Sequence, residues 1–241
     1  NTRSRKGKSF GYQVLGFGSA AGVNPFIEAT GGTVTESGNF RIHTFTSSGT
    51  FTVSQAAIGI PTAQSSADWL VIAGGGAGGA GGDSPAGGGA GGYRESPGSA
   101  SGCYSVSPIA GGSAVELEAQ DYTVTIGAGG SATSGGANSS ALGITSAGGG
   151  RGGVACSSCG QIGPYGGGAG GSGGGGNGGN NATAGAGNTP PTSPAQGFAG
   201  GAGQTCAGNR AGGGGGGAGA VGVAGSSPKV GGAGGAGVST S

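Results

Sequence analysis

The sequence predicts a mainly β and irregular fold with essentially no α-helix: a small antiparallel β meander, then a bundle of polyglycine-II helices (of the polyproline-II type) linked by loops. Three observations carry that expectation. Glycine makes up 71 of the 241 residues, against a usual share of about 7 %. The glycines come in blocks: GGGAGGAGG at 74–82, GGGAGGSGGGGNGG at 166–179 and six in succession at 212–217. The β-branched and aromatic residues fall in short alternating runs, most clearly ahead of residue 72. Glycine costs about 1 kcal/mol at each interior helical position, which removes α-helix from the blocks. A chain this short of side chains has little apolar core to build, so order in the blocks requires main chain packed on main chain.

Residues 1–30 read as a basic arm and connector. Arg3, Arg5, Lys6 and Lys8 are four of the nine positive residues. They lack the interleaved aromatics of a nucleic-acid-binding surface, and the segment lacks the apolar central stretch of a secretory signal. Phe10, Tyr12, Phe17 and Phe26 need something to pack against, and a partner subunit is the candidate. Residues 31–72 form a small β domain. Thr33–Thr35, Phe40–Phe45 and Thr50–Val53 alternate and are separated by the turn signals Ser37-Gly38-Asn39 and Ser47-Ser48-Gly49. They are expected to pair in order as a meander, with Phe40, Ile42 and Thr44 on one face and Arg41, His43 and Phe45 on the other. Residues 68–72 are expected to make another strand, running straight into Gly74.

Residues 73–241 form the glycine-rich domain, with short strands expected at about 114–126 and at 141–145. A short strand followed by a glycine block recurs there without a fixed period, which disfavours a strict solenoid. Collagen needs an unbroken Gly-X-Y period and much proline, and here the period breaks and only ten prolines occur. A flexible linker is the remaining competitor. Polyglycine-II helices turn once in three residues and carry no internal hydrogen bonds, so their N–H and C=O groups must pair with neighbours. Ala77 and Ala80, and likewise Ala233 and Ala236, lie three apart. That spacing stacks alanines on one ridge and leaves two ridges bare for packing.

Charged residues are 7 % of the chain, against about 25 % in an average domain, and only Arg151, Arg210 and Lys229 follow Asp121. No run of about 18 apolar residues exists, so membrane insertion is not expected. No enzyme is expected either. Gly7-Lys8-Ser9 lacks the preceding glycine of a phosphate loop, where Thr2 stands instead. The matches to G-x-G-x-x-G are noise at this glycine content. His43 has no catalytic partner, and Glu116 and Glu118 share a strand face beside a turn. Cys156 and Cys159 resemble half of a zinc ribbon without its second pair. No metal or cofactor is therefore expected, and Cys103, Cys156, Cys159 and Cys206 are candidates for disulfides.

The strings WLVIAGGGAGG at 69–79, GGAGGYRES at 88–96, YTVTIGAGG at 122–130 and NSSALGITSAGGG at 138–150 together resemble the glycine-rich domain of tailed-phage virion proteins. The upstream FTSSGTFTV resembles it too, and the opening at 8–18 is similar to that of such proteins in phages of marine bacteria. The resemblance covers most of the chain. It implies a tail-fibre or adhesin component on the virion surface, a rigid sandwich of polyglycine helices whose loops touch the host. Many members close on an apolar strand after the last glycine block. This sequence ends Val238-Ser239-Thr240-Ser241 without one, so residues 69–72 are expected to pair elsewhere unless the chain is a fragment. The partners implied are other virion subunits through the N-terminal segment and a bacterial surface receptor, protein or glycan. A homo-oligomer such as a trimer is compatible with them. Loops at 83–85, 93–104, 156–165 and 188–198 hold most of the aromatic and polar side chains after residue 80, with Asp83, Tyr93, Arg94, Tyr104, Tyr165 and Phe198 as contact candidates. A capsid decoration without receptor binding is the alternative, and a glycine-rich ice-binding protein a more distant one.

Overall fold

The computed structural model describes residues 25–38, 40–59, 65–80, 84–98, 105–154, 166–179, 182–206, 209–226 and 228–240. Among them are thirteen short strands and no helix. The strands form six small antiparallel sheets.

The largest sheet has three strands, β1 (Glu28–Thr30), β4 (Gly49–Gln55) and β9 (Asp121–Val124), with β4 in the middle. β2 (Thr33–Ser37) and β3 (Phe40–Thr44) pair only with each other, from Thr33 opposite Thr44 to Ser37 opposite Phe40. The expected meander is thus corrected: β2 and β3 make a hairpin, but β4 leaves β3 for β1 and β9. Its alternation explains the choice. Phe51 and Val53 point into a cluster with Leu117 and Val124, and burial of such side chains is the main local driving force. Phe51 also meets His43 edge-on at 5.0 Å between centroids and Phe45 at 6.5 Å. The His43–Phe45 face of β3 is therefore the inner one, while Ile42 is left exposed. His43 acts structurally, since its Nδ1–H donates to Gly31 O at 2.8 Å.

β6 (Leu70–Ile72) pairs with β7 (Tyr93–Glu95). β5 (Ser66–Ala67) pairs with β8 (Val115–Glu116). The strand expected at 141–145 is instead a hairpin of β10 (Ser139–Ala141) and β11 (Ile144–Ser146). Leu142 and Gly143 turn between them with φ of 53° and 78°, the two positive values that a tight hairpin of this kind requires. Near the end of the chain, β12 (Gln204–Cys206) pairs with β13 (Asn209–Ala211).

The glycine stretches between these strands bond differently, at every third residue. Ala73, Gly76 and Gly79 donate to the carbonyls of Gly92, Gly89 and Ala86. Gly149 and Gly152 donate to those of Gly74 and Ala77. The stretch 170–176 is the most enclosed. Ser172 and Gly175 donate to Ala90 and Gly87, Gly173 and Gly176 to Phe198 and Gly201, and Gly174 to Gly168. Its carbonyls at Ser172, Gly173 and Gly174 accept from Gly150, Gly216 and Gly185.

Six stretches thus surround it: 84–92, 147–153, 166–168, 182–187, 197–203 and 211–217. Each is bonded to the next around the ring, through Gly89 to Gly150, Gly168 to Arg151, Gly167 to Thr183, Gly203 to Ala182, Gly201 to Gly214 and Gly87 to Gly213. A flat strand with period two bonds on two sides only, so it cannot supply this ring. Side chains are absent from the centre for a steric reason. A Cβ on Gly173 would overlap the carbonyl oxygen of Gly185, one on Gly174 that of Arg151, and one on Gly175 that of Gly213.

Candidate functional site: the two ends of the glycine stretches

The antiparallel bonding sorts the connections to two ends. Ala73 lies beside Gly92, and Gly79 beside Ala86. At the Gly79 end stand Ser84 with Gly178, Gly203 with Ala182, Gly212 with Gly232, and Gly225 with Ala202. The β sheets other than the β12–β13 hairpin, and the segment 188–196, stand at the Gly92 end, where Tyr93 N–H donates to Gln196 O. We refer to these as the loop end and the sheet end.

At the loop end Asn177 interrupts a glycine block and is fully buried. Its Nδ2 donates to Ser84 O at 2.8 Å, and its Oδ1 accepts from Gly179 N–H at 2.7 Å. One side chain therefore ties two turns together. The hydroxyl of Thr205 donates to Gly178 O, anchoring the β12–β13 hairpin on the same turn. Opposite Thr205 in that hairpin is Arg210. Lys229 occupies the tight turn closed by the Ser226–Val230 bridge, with φ of 58°. Arg151 lies two residues before Gly153, which donates to Gly175 near the same end. The three late cations of the sequence thus share this part of the molecule. The sheet end is acidic: Glu28, Glu36, Asp68, Glu95, Glu116, Glu118 and Asp121 stand there against Arg41 and Arg94.

The sheet end is closed by buried polar residues. Gln196 is 1 % exposed. Its Oε1 accepts from Ala147 N–H and its Nε2 donates to Pro190 O, both at 2.8 Å. Asn188 Oδ1 accepts from Thr192 N–H and Oγ1 at 2.9 Å and from Gln196 N–H at 3.2 Å, so 188–196 is a loop wrapped on its own amides. Trp69 Nε1–H donates to Ser113 O at 2.9 Å, and the Arg94 guanidinium lies 5.9 Å above its ring.

Glu95 is 2 % exposed. Its Oε2 accepts from Tyr93 OH at 2.8 Å and Ser107 N–H at 3.1 Å. Burial pushes this carboxyl up, but bonds from Ser107, Tyr93 and Thr240 outweigh it and hold the group below the ordinary carboxylate value of 4.5. A depressed folded value stabilises the native state above the unfolded value, and that contribution is lost as pH falls through the folded one. Melting temperatures measured between pH 3 and 7 are expected to drop on the acid side in the native protein. Glu95→Gln should flatten that drop, and an unchanged acid limb in the variant would assign the loss to other carboxyls.

The predicted contact residues divide between these surroundings. Tyr93 lies in β7 and is buried, not in a loop. Arg94, also in β7, is half-buried and donates from Nη1 to Thr145 O at 3.0 Å. Phe198 is half-buried inside a glycine stretch, where its N–H donates to Gly217 O. Asp83, Tyr104 and Tyr165 lie outside the described residues, as do Phe10, Tyr12 and Phe17 of the expected docking segment, while Phe26 is described and exposed. Cys103, Cys156 and Cys159 also lie outside them, and Cys206 is the last residue of β12. Asn177, Asn188, Gln196 and Arg210 were not candidates from the sequence. An amide alone in a glycine block, as at Asn177, was the available signal.

Among the described residues no group of three or more His, Cys, Asp or Glu side chains gathers as metal ligands, and no helix is long and apolar enough to cross a membrane. Comparison with protein-family models, curated proteins and solved structures returns no match for this chain.

Proposed function

We propose that the chain is a structural virion protein of a tailed phage, a tail-fibre or adhesin component whose glycine stretches are polyglycine-II helices packed hexagonally into a rigid rod. The observation that carries this reading is the bonded ring of six stretches around 170–176. A threefold period, hydrogen bonds on alternate sides and glycine wherever a Cβ would overlap a neighbour are what such a bundle requires. Enzymatic chemistry has no comparable support.

A rod with different ends suits an adapter. The sheet end leaves Phe26, Val34, Ile42 and Ile58 exposed, apolar surface of the kind that marks contact with another subunit. The loop end presents short turns on a stiff support, the usual arrangement of recognition loops. Its Arg151, Arg210 and Lys229 favour an anionic surface group on the host.

Two measurements test the two halves of the proposal. Amide exchange should be slowest at 172–176 and at Gly213, Gly214, Gly216 and Gly217, and exchange there as fast as in a free peptide would remove the bundle. Labelled protein should bind some members of a panel of bacterial strains that includes marine isolates. Replacing the loop-end turns at 131–134 and 226–230 with Gly-Ser should abolish that binding. If the intact protein binds no strain, or the replaced protein binds equally well, the receptor-contacting role fails and a decoration of the particle is the better reading.

A further inference from the structure

The stretch 211–217 is enclosed on five sides. Carbonyls of Gly213 and Gly216 accept from 84–92, and their N–H groups donate to 170–176. Carbonyls of Gly214 and Gly217 accept from 197–203, and their N–H groups donate to Val223 and Ala220. Carbonyls of Gly212 and Gly215 accept from Gly232 and Gly235. Donors and acceptors therefore alternate around the stretch, and the sixth side belongs to the N–H groups of Gly212, Gly215 and Ala218. None of these donates to a described residue. The same pattern along 84–92 leaves the N–H and C=O groups of Gly88 and Gly91 without partners among the described residues. Gly91 and Gly215 are buried, and buried backbone groups are paired in the great majority of cases.

The N–H groups of Gly215 and Ala218 and the carbonyls of Gly88 and Gly91 border one groove. It has a volume of about 610 Å³ and runs between 87–91, 214–218 and 232–238, with Ile72 and Tyr93 at its end. In a hexagonal array this is the one lattice position that touches all three of those stretches and holds none of the described residues. We propose that the groove binds one extended glycine-rich segment of another polypeptide, seated as an additional polyglycine-II helix.

The walls dictate that chemistry. A donor row on 211–217 faces an occupant that accepts, and free carbonyls on 84–92 face one that donates, so the occupant must alternate as the resident stretches do. A β-strand has the wrong period. A proline-rich helix has the right pitch but no N–H to offer Gly88 and Gly91. Walls five residues long at a rise of about 3.1 Å accommodate roughly two turns of such a helix. The inference rests on the bundle reading above and is independent of the virion role.

The test uses the full chain and a fluorescein-labelled acetyl-GGAGGAGGA-amide, with a nonaproline of equal length as the control. Saturable anisotropy is expected for the glycine peptide only, together with slowed exchange at the Gly215 and Ala218 amides. Gly234→Leu projects into the groove from a position whose nearest neighbour to an added Cβ is Gly215 O at 3.8 Å. Gly237→Leu starts from open space. Each should weaken the peptide about tenfold with an unchanged melt, whereas Ala233→Leu, on an exposed ridge away from the groove, should not. No saturation by about 1 mM peptide with 172–176 still protected overturns the groove and leaves the bundle standing. So does equal binding by the leucine variants. A peptide-free dimer that protects the groove amides gives the site to a second copy and overturns the proposal. Rapid exchange at 172–176 removes the bundle and this site together.

Discussion

Gly174→Ala is expected to lower the melting temperature by roughly 6–12 °C, while Gly234→Ala leaves it unchanged or slightly raised. The added atoms are the same; what they meet differs. At Gly174 the Cβ falls on the carbonyl of Arg151, and the neighbouring stretch cannot step aside without breaking the bond from Gly153 to Gly175 and its companions. Overpacking a side-chain core costs about 1–3 kcal/mol, and here the obstacle is main chain, which has no alternative rotamer, so about 3 kcal/mol is the expected scale. At Gly234 the nearest atom to an added Cβ is 3.8 Å away, and the substitution only narrows the unfolded ensemble, a gain of about 0.4–1 kcal/mol. Thermal melts of the two single variants, followed by far-ultraviolet circular dichroism, decide it. Equal melting temperatures would mean that the stretches are not in contact in solution.

Gln196→Ala is expected to destabilise by about 2–4 kcal/mol, seen as a lower urea midpoint at unchanged slope. Truncation strands the Ala147 N–H in a place water does not reach, at about 1–3 kcal/mol for an orphaned group, gives up the bond to the more open Pro190 C=O, and leaves a void where the amide stood. Exchange of the Ala147 amide should quicken well beyond that of Gly173. A loss under about 1 kcal/mol would mean that the 188–196 loop is detached in solution and that Gln196 is not buried.

How much of this was legible depends on what carries each element. Strands β2, β3 and β4 announce themselves by alternation and by turn residues between them, because both are local properties. Their pairing is not local. Phe51 and Val53 favour the company of Leu117 and Val124, far along the chain, and nothing in the run FTV says so. The hairpin at 139–146 hides in ALGIT because a leucine with positive φ is rarely forecast. In the glycine stretches the Ala-Gly-Gly spacing hints at a threefold period, but every third-residue bond joins segments distant in sequence, so the partner of Ser172 or Gly216 cannot be read from its neighbours. The ends were harder still. Tyr93 and Arg94 looked like loop residues because they follow glycines and precede Ser96-Pro97, yet Ile72 and Val71 pair with them. Asn177 and Gln196 act through single well-placed amides, and composition does not register one amide.

Among the described residues the apolar cluster lies at the sheet end, around Phe51, Val53, Leu117 and Val124, while the long stretches from 170 to 217 are held mainly by peptide groups, with Ser172, Asn177 and Thr205 adding side-chain bonds. Unfolding those stretches wets mostly amide surface, and exposure of polar area lowers the heat capacity where oily area raises it. The free-energy curve of these stretches against temperature is therefore expected to be shallow, and chilling should not erode it as it erodes a protein that relies on an oily interior. Main chain bonded to main chain in this way should hold as well in the cold as in the warm.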